Sequence, residues 1–276
     1  MPRITRLGEL SYGLWRAIIA LYRENPTRHL YLVYDLLYEL DRIDACFSIE
    51  TGDVTGYVFA WIGPRGNVAI HVWGEPRGLE SCLEAFLQKW GGRVFIAQVH
   101  TPEWLEPLKR AVEEVGLRYR VVNYLDMVVD EDGFRPVNPE LATRLRAEEH
   151  LEVFRRAMER IGRGLSGEEL LRALRRMRYY GILINGELVS FAARCAAMPD
   201  VWAICDVYTD PRYRGRGFAK AVTSAITRDA VASGALAMLH VEEGNEPAIR
   251  VYRALGYRAV GARPWLRIGG SAKQPQ

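Results

Sequence analysis

Three arginines and two glycines within six residues, Arg212-Tyr213-Arg214-Gly215-Arg216-Gly217, mark the stretch of this chain best suited to chemistry. Upstream, Val201 to Tyr208 alternates β-prone residues as a strand does, and Pro211 stops its ladder. Downstream, a helical pattern runs from Phe218 to about Ser233. A strand that ends in a basic turn and feeds directly into a helix leaves the first helical amides as unpaired donors at the positive end of the helix dipole. That is an anion site, and Gly215 and Gly217 let a ligand approach the main chain closely. The stretch reads as a phosphate cradle.

Composition narrows the classes of function. With 276 residues the chain has room for two domains, and 49% apolar against 26% charged residues is ordinary for a soluble globular protein. A net charge of +3 gives no polycationic surface for nucleic acid or an anionic membrane. Only four of the 37 basic residues are lysine, namely Lys89, Lys109, Lys220 and Lys273, which decides nothing about function. Cys46, Cys82, Cys195 and Cys205 are far apart and no histidines cluster, so buried free thiols are expected, with no metal site. The N-terminus lacks a signal pattern and the best apolar run, Leu14 to Tyr22, is interrupted by Arg16, so a cytoplasmic protein that keeps off membranes is expected.

The elements that must position the cradle recur twice. Thr5-Arg6-Leu7 reads as a short strand, followed by helices over Leu10 to Arg23 and His29 to about Asp41; the second carries a stripe of Tyr31, Tyr34 and Tyr38 suited to packing or to facing a ligand. Strands follow over Ala45 to Glu50, Thr55 to Ile62 and Asn67 to Trp73, then a helix from Leu79 to Trp90, a strand from Val94 to Val99, a helix from Pro102 to Val115 and a strand from Tyr119 to Val129. The acidic, breaker-rich segment 131–139 is the expected linker between domains 1–130 and 140–268, with a frayed tail at 269–276. Beyond it the order repeats: strand Thr143 to Leu145, helices around Leu151 to Ile161 and from Gly167 to Arg178 capped by Ser166, and strands Tyr180 to Ile184 and Leu188 to Ala196 about the Asn185-Gly186 turn. Then come the cradle strand and helix, the strand Leu236 to Glu242, a helix from Glu246 to Leu255 and a strand from Arg258 to about Ile268. Thr5-Arg6-Leu7 is echoed by Thr143-Arg144-Leu145, and Val115-Gly116-Leu117-Arg118 by Leu255-Gly256-Tyr257-Arg258. The chemistry is not repeated: at the corresponding place the first half has Pro76-Arg77-Gly78, so a single ligand site per chain is expected.

Arg214-Gly215-Arg216-Gly217-Phe218-Ala219 resembles the Arg/Gln-x-x-Gly-x-Gly/Ala signature of the GCN5-related N-acetyltransferases, and Val207-Tyr208-Thr209-Asp210-Pro211 is similar to their Val-Tyr-Thr-x-Pro, glycine acyltransferase-like branch. Asn245, Ala248, Tyr252, Gly256 and Tyr257 resemble a second segment of that family at the expected distance downstream. The resemblance implies an α/β fold: two tandem domains, each a mixed, mainly antiparallel sheet flanked by helices, the first a degenerate copy. It implies acetyl-CoA as the cofactor, an acyltransferase acting on amino groups, and direct attack by a primary amine without a covalent intermediate. The amides of Gly215 to Ala219, Phe218 included, would hold the pyrophosphate, with Arg212, Arg214 and Arg216 as a basic rim. Main-chain groups at Val207 and Tyr208 would bind the pantetheine arm and polarise the acetyl carbonyl. Tyr252 would be the general acid for the departing thiolate or a packing residue, and Asn245 would contact the cofactor or cap the next helix. His240 stands where some members carry a glutamate base, with Glu242 and Asp206 as competitors, and the glutamate of the histone-modifying members falls at Ala203.

Three functions are thereby set against one another: an N-acetyltransferase; a non-catalytic acyl-CoA-binding or regulatory module, or an acyltransferase using a longer acyl-CoA; and a nucleic-acid binder resting on one short basic run. The acceptor, small molecule or protein amine, is not encoded in any motif, and a homodimer is compatible with the sequence.

Overall fold

The computed structural model describes residues 3–269, which divide into two compact units. Unit 1 holds the chain up to Tyr124 and again from Ala262, and unit 2 is Leu125–Gly261. The sequence-drawn linker at 131–139 therefore lies inside unit 2. The tail read from residue 269 onward lies, past Gly269, outside the described residues.

Unit 1 opens with β1 (Arg3–Arg6), α1 (Tyr12–Glu24) and α2 (Pro26–Tyr38), then β2 (Ile43–Glu50), β3 (Asp53–Ile62) and β4 (Val68–Gly74). It continues through α3 (Glu80–Trp90), β5 (Val94–Val99), α4 (Leu105–Glu114) and the first part of β6 (Tyr119–Val129). Unit 2 contains β7 (Thr143–Leu145), α5 (Ala147–Arg160), α6 (Gly167–Arg176), β8 (Arg178–Ile184), β9 (Glu187–Ala197) and β10 (Val201–Thr209). After these come α7 (Phe218–Ala232), β11 (Leu236–Glu242), α8 (Glu246–Ala254) and the start of β12 (Arg258–Ile268).

The strand order is β1-β2-β3-β4-β5-β12-β6 in unit 1 and β7-β8-β9-β10-β11-β6-β12 in unit 2. In each unit, then, the strand beside the fifth one comes from the other half of the sequence: β12 supplies Leu266 opposite Ala97 of β5, and β6 lies against β11. Hairpin-linked strands pair antiparallel, whereas β4 with β5 and β10 with β11 run parallel because a helix crosses between them. The β8–β9 hairpin turns through Asn185 (φ +51°) and Gly186 (φ +76°), the left-handed pair its two-residue loop requires. Ser166 caps α6 by accepting from the Glu169 amide at 3.3 Å.

The two faces of unit 1's sheet differ in kind. One is aliphatic, with Val58, Ile70, Val72, Val99 and Leu266 packed against Leu83, Phe86 and Leu108 of α3 and α4. Because side chains alternate along a strand, the neighbours of those residues face the other way. There the register aligns Phe59 with His71, His71 with Gln98, and Gln98 with Trp265. One step along the strands, Tyr57 is aligned with Trp73, and Arg263 contacts His100. In unit 2 the face under α5 and α6 is apolar instead, built on Phe154, Met158, Leu188 and Phe191.

The cysteines correct an expectation. Cys46 is bonded to Cys82 and Cys195 to Cys205, leaving no free thiol. The partners are brought together by packing of β2 against α3 and by β9 pairing with β10, neither of which leaves a mark in cysteine spacing. No helix among the described residues is long and apolar enough to cross a membrane.

Candidate active site

The site in unit 2 begins where β10 and β11 part. Their parallel ladder runs only from Val201 opposite Leu236 to Ala203 opposite Met238 and then stops. On its other edge β10 keeps β9, but with a bulge: Cys205 is opposite Ala193 and Tyr208 opposite Phe191, so Asp206 and Val207 together face one residue. Asp206 takes φ +53°, a left-handed conformation that costs a non-glycine residue about 1 kcal/mol or more and that concentrates at functional sites. Main-chain groups at Val207 thus lie at a break in both ladders, where an extended ligand arm can pair with them. The Tyr208 carbonyl accepts from Ser190 Oγ at 2.9 Å, and its ring stacks on Phe191 at 5.3 Å, so its side chain belongs to the core.

The cradle follows. Asp210 is buried and accepts from the Arg212 amide at 2.9 Å, which closes the turn. The Arg212 guanidinium sits on Asp210 at 2.9 Å and on Glu187 at 3.1 Å. Arg212 therefore braces the turn, and hydrogen bonding from it holds the Asp210 carboxyl below the usual range. Arg214 donates to the Thr209 carbonyl at 3.3 Å, and Arg216 lies over the Tyr213 ring at 5.2 Å. Gly215 (φ +79°) and Gly217 (φ +81°) are both left-handed, and a Cβ at either would meet no protein atom within 4 Å. Internal packing does not demand glycine there; the backbone conformation does, and the space outside is open. Gly217 is the N-cap of α7 without a side-chain cap, so the first amides of that helix face outward as donors. Ala219 lies in this first turn, while Phe218 packs against the core.

A histidine and a carboxylate meet across two strands. His240 of β11 and Asp126 of β6 meet with Nδ1 and Oδ1 2.7 Å apart. An ionised carboxylate only accepts, so the proton is on Nδ1 and the lone pair of the neutral ring is on Nε2. Glu242, two residues on, shares that face of β11. Asp206, the other competitor, has Arg163 on Oδ1 and the Tyr179 hydroxyl on Oδ2 at 2.9 Å, which leaves it committed to structure. Sequence reading did not single out Asp126. Its signal was an acid placed in the apolar strand Leu125-Asp126-Met127-Val128-Val129, where burial calls for a partner.

Tyr252 is buried in the core cluster of unit 2, and burial alone pushes its phenol up to about 12, so it is protonated at neutral pH. Asn245 caps α8 by accepting from the Ala248 amide at 3.2 Å, which fulfils the capping half of its expected role. Unit 1 lacks this geometry. There β4 and β5 remain paired from Val68 to Val72, and the His100 amide extends the ladder to the Val72 carbonyl at 2.9 Å.

Residues 142–257 of the chain, which lie within unit 2, match the acetyltransferase (GNAT) family model. Its architecture is also that of known structures. A tandem GNAT protein from the clavulanic acid biosynthesis pathway aligns over 99% of this chain and all of its own length (100%), with a TM-score of 0.57 and 15% identity. A Drosophila protein aligns over 97% of this chain and 98% of its own, with a TM-score of 0.67 and 16% identity. A GNAT-family protein from Novosphingobium aromaticivorans is 25% identical over 76% of this chain and 86% of its own, with a TM-score of 0.53. No curated protein sequence matches the chain.

Proposed function

We propose that unit 2 transfers an acetyl group from acetyl-CoA to a primary amine, small molecule or protein-borne, by direct attack. The observation that carries the reading is the parting of β10 from β11 at Ala203, leading through the bulge to the open, left-handed glycines at the start of α7. An extended thioester fits along the exposed strand edge, and its pyrophosphate fits the cradle amides and the exposed arginines Arg214 and Arg216.

In the reaction a neutral amine nitrogen bonds to the thioester carbon and the carbon–sulfur bond breaks. His240 Nε2 takes the proton lost from nitrogen, Asp126 steadies the resulting imidazolium, and the Tyr252 hydroxyl gives its proton to the departing thiolate. No covalent enzyme intermediate is required. Calorimetric titration with acetyl-CoA, followed by thiol release with a panel of amines, tests this. Binding at micromolar to millimolar ligand and amine-dependent thiol release are expected; absence of binding overturns the reading, and binding without release to any amine favours a non-catalytic acyl-CoA module.

A further inference from the structure

We propose that Arg163 and Tyr179 are positioning residues of unit 2: by gripping the Asp206 carboxylate from the α5–α6 face, they hold the β10 bulge in the backbone geometry that receives the pantetheine arm of an acyl-CoA. The inference rests on the acetyl-transfer reading of this unit and adds to it the groups that fix the open strand edge. Both oxygens of Asp206 are used: Oδ1 accepts from the Arg163 guanidinium and Oδ2 from the Tyr179 hydroxyl at 2.9 Å. The donors come from separate elements. Arg163 follows α5, where the Gly162 amide returns to the Glu159 carbonyl at 3.0 Å and the Arg163 amide to the Met158 carbonyl at 2.8 Å, with Gly162 at φ +70°. That pair of bonds is a Schellman ending, so the arginine leaves the helix at a fixed place. Tyr179 lies on β8, in the row Tyr179, Ala193, Cys205 that crosses from β8 to β10 on one face. The small Ala193 in the middle lets the phenol reach over β9 to Asp206, and Phe154 of α5 packs edge-on against its ring at 4.8 Å. Burial and then the nearby carboxylate raise the Tyr179 phenol well above its ordinary value, which keeps it a donor.

The bulge needs such a grip. Before it, β10 is tied to β9 by the Cys195–Cys205 bond; after it, Ser190 donates to the Tyr208 carbonyl at 2.9 Å and the Asp210 amide to the Val189 carbonyl at 2.8 Å. Between these ties Asp206 and Val207 share one opposite residue on β9, and the ladder to β11 has already ended at Ala203. The left-handed Asp206 sends Cys205 and Tyr208 to the α5–α6 face and Val207 to the α7 side, against the alternation of an ordinary strand. Were Asp206 to relax to extended backbone, the extra residue would move along the strand and the Val207 main chain would turn away from the open edge. The carboxylate is the handle through which the packing of α5 and β8 sets that edge.

Calorimetric titration of the full chain with acetyl-CoA, beside amide exchange of the free protein, tests this. Arg163→Met is expected to weaken acetyl-CoA binding by at least roughly 10-fold, Tyr179→Phe by roughly 3-fold or more, and Arg163→Lys less than Arg163→Met. Amide exchange across Cys205 to Thr209 should quicken in Arg163→Met and Tyr179→Phe, while that of the α7 interior stays as it was. In Asp206→Gly, which keeps the left-handed backbone accessible and removes the carboxylate, adding Arg163→Met should weaken binding by less than about twofold more, because the arginine acts through that carboxylate. A residue that served stability alone would act alike in both backgrounds. Thermal melts separate loss of binding from loss of fold, and should Arg163→Met not fold, Tyr179→Phe carries the same test. Unchanged acetyl-CoA affinity in folded Arg163→Met or Tyr179→Phe, unchanged exchange over the bulge, or an undiminished effect of Arg163→Met in Asp206→Gly overturns this inference alone. Absence of acetyl-CoA binding by the unaltered chain overturns the acetyl-transfer reading and this inference with it.

Discussion

Replacing Asp126 with Asn removes the negative charge beside His240 while leaving an oxygen that can still accept from Nδ1. The contact is 2.7 Å long between a histidine side chain 7% exposed and an aspartate 25% exposed, so solvent screens it only in part. Hydrogen bonds to charged groups contribute about 1.5–3 kcal/mol. Imidazolium is formed during the reaction, so that amount is lost chiefly when His240 takes the proton, and kcat should fall by roughly 10- to 100-fold at pH 7. The same energy, at about 1.36 kcal/mol per pH unit, moves the acid limb of the kcat/KM profile to lower pH by roughly one to two units, because a proton on His240 is no longer stabilised. The assay is initial-rate thiol release from pH 5 to 9, with acetyl-CoA affinity measured separately. An unmoved acid limb in Asp126→Asn, or equal losses of rate and cofactor affinity, would refute the assignment of a His240–Asp126 base.

Tyr252→Phe is expected to lower kcat by roughly 10-fold or more while leaving the Kd for acetyl-CoA within about twofold, read by steady-state kinetics beside calorimetry. Gly217→Val places a Cβ in the open space of the cradle and strains a φ of +81°; the strain costs about 1–2 kcal/mol in a melt, and acetyl-CoA affinity should fall by at least roughly 10-fold. His29 is held at a pKa of about 3 by burial, and then by the charges of Arg28 and Arg263, against 6.5 in the unfolded chain. The unfolded state therefore takes up a proton that the folded state refuses, so stability is complete above pH 6.5 and declines toward pH 3 by up to about 1.4 kcal/mol per unit, a slope that His29→Gln should reduce in denaturant titrations. Thiol titration of the denatured, unreduced protein should find no free cysteine, and opening the 36-residue Cys46–Cys82 loop by Cys→Ala pairs should cost up to about 4 kcal/mol on the chain-entropy account.

The turn that leads into α7 was legible because its signals are local. Proline, glycines and arginines at fixed offsets define a turn and a helix start whatever surrounds them, and β11 and β12 begin and end at the residues their apolar patterns suggested. The bulge at Asp206 was not legible, since an extra residue in a strand is visible only against its partner. Arg212 illustrates the same limit: in the sequence it is one of three rim arginines, and only the return of β9 brings Glu187 to it. His240 could be nominated as a base from its place before Asn245, but its carboxylate is 114 residues away and no motif connects them.

That separation has one cause. The strand beside the fifth strand of each unit lies far from it in sequence: β6 brings Asp126 to His240 of β11, and β12 brings Arg263 to His100 just past β5. A chain cut at 131–139 would retain His100 and lose Arg263, and would leave the β5 edge, with its unpaired amides and carbonyls, open where β12 should cover it. The breaker-rich segment thus lies within unit 2. A substitution at residue 126 therefore alters the partner of His240 and one at residue 263 alters the partner of His100, each without touching the strand that carries the histidine.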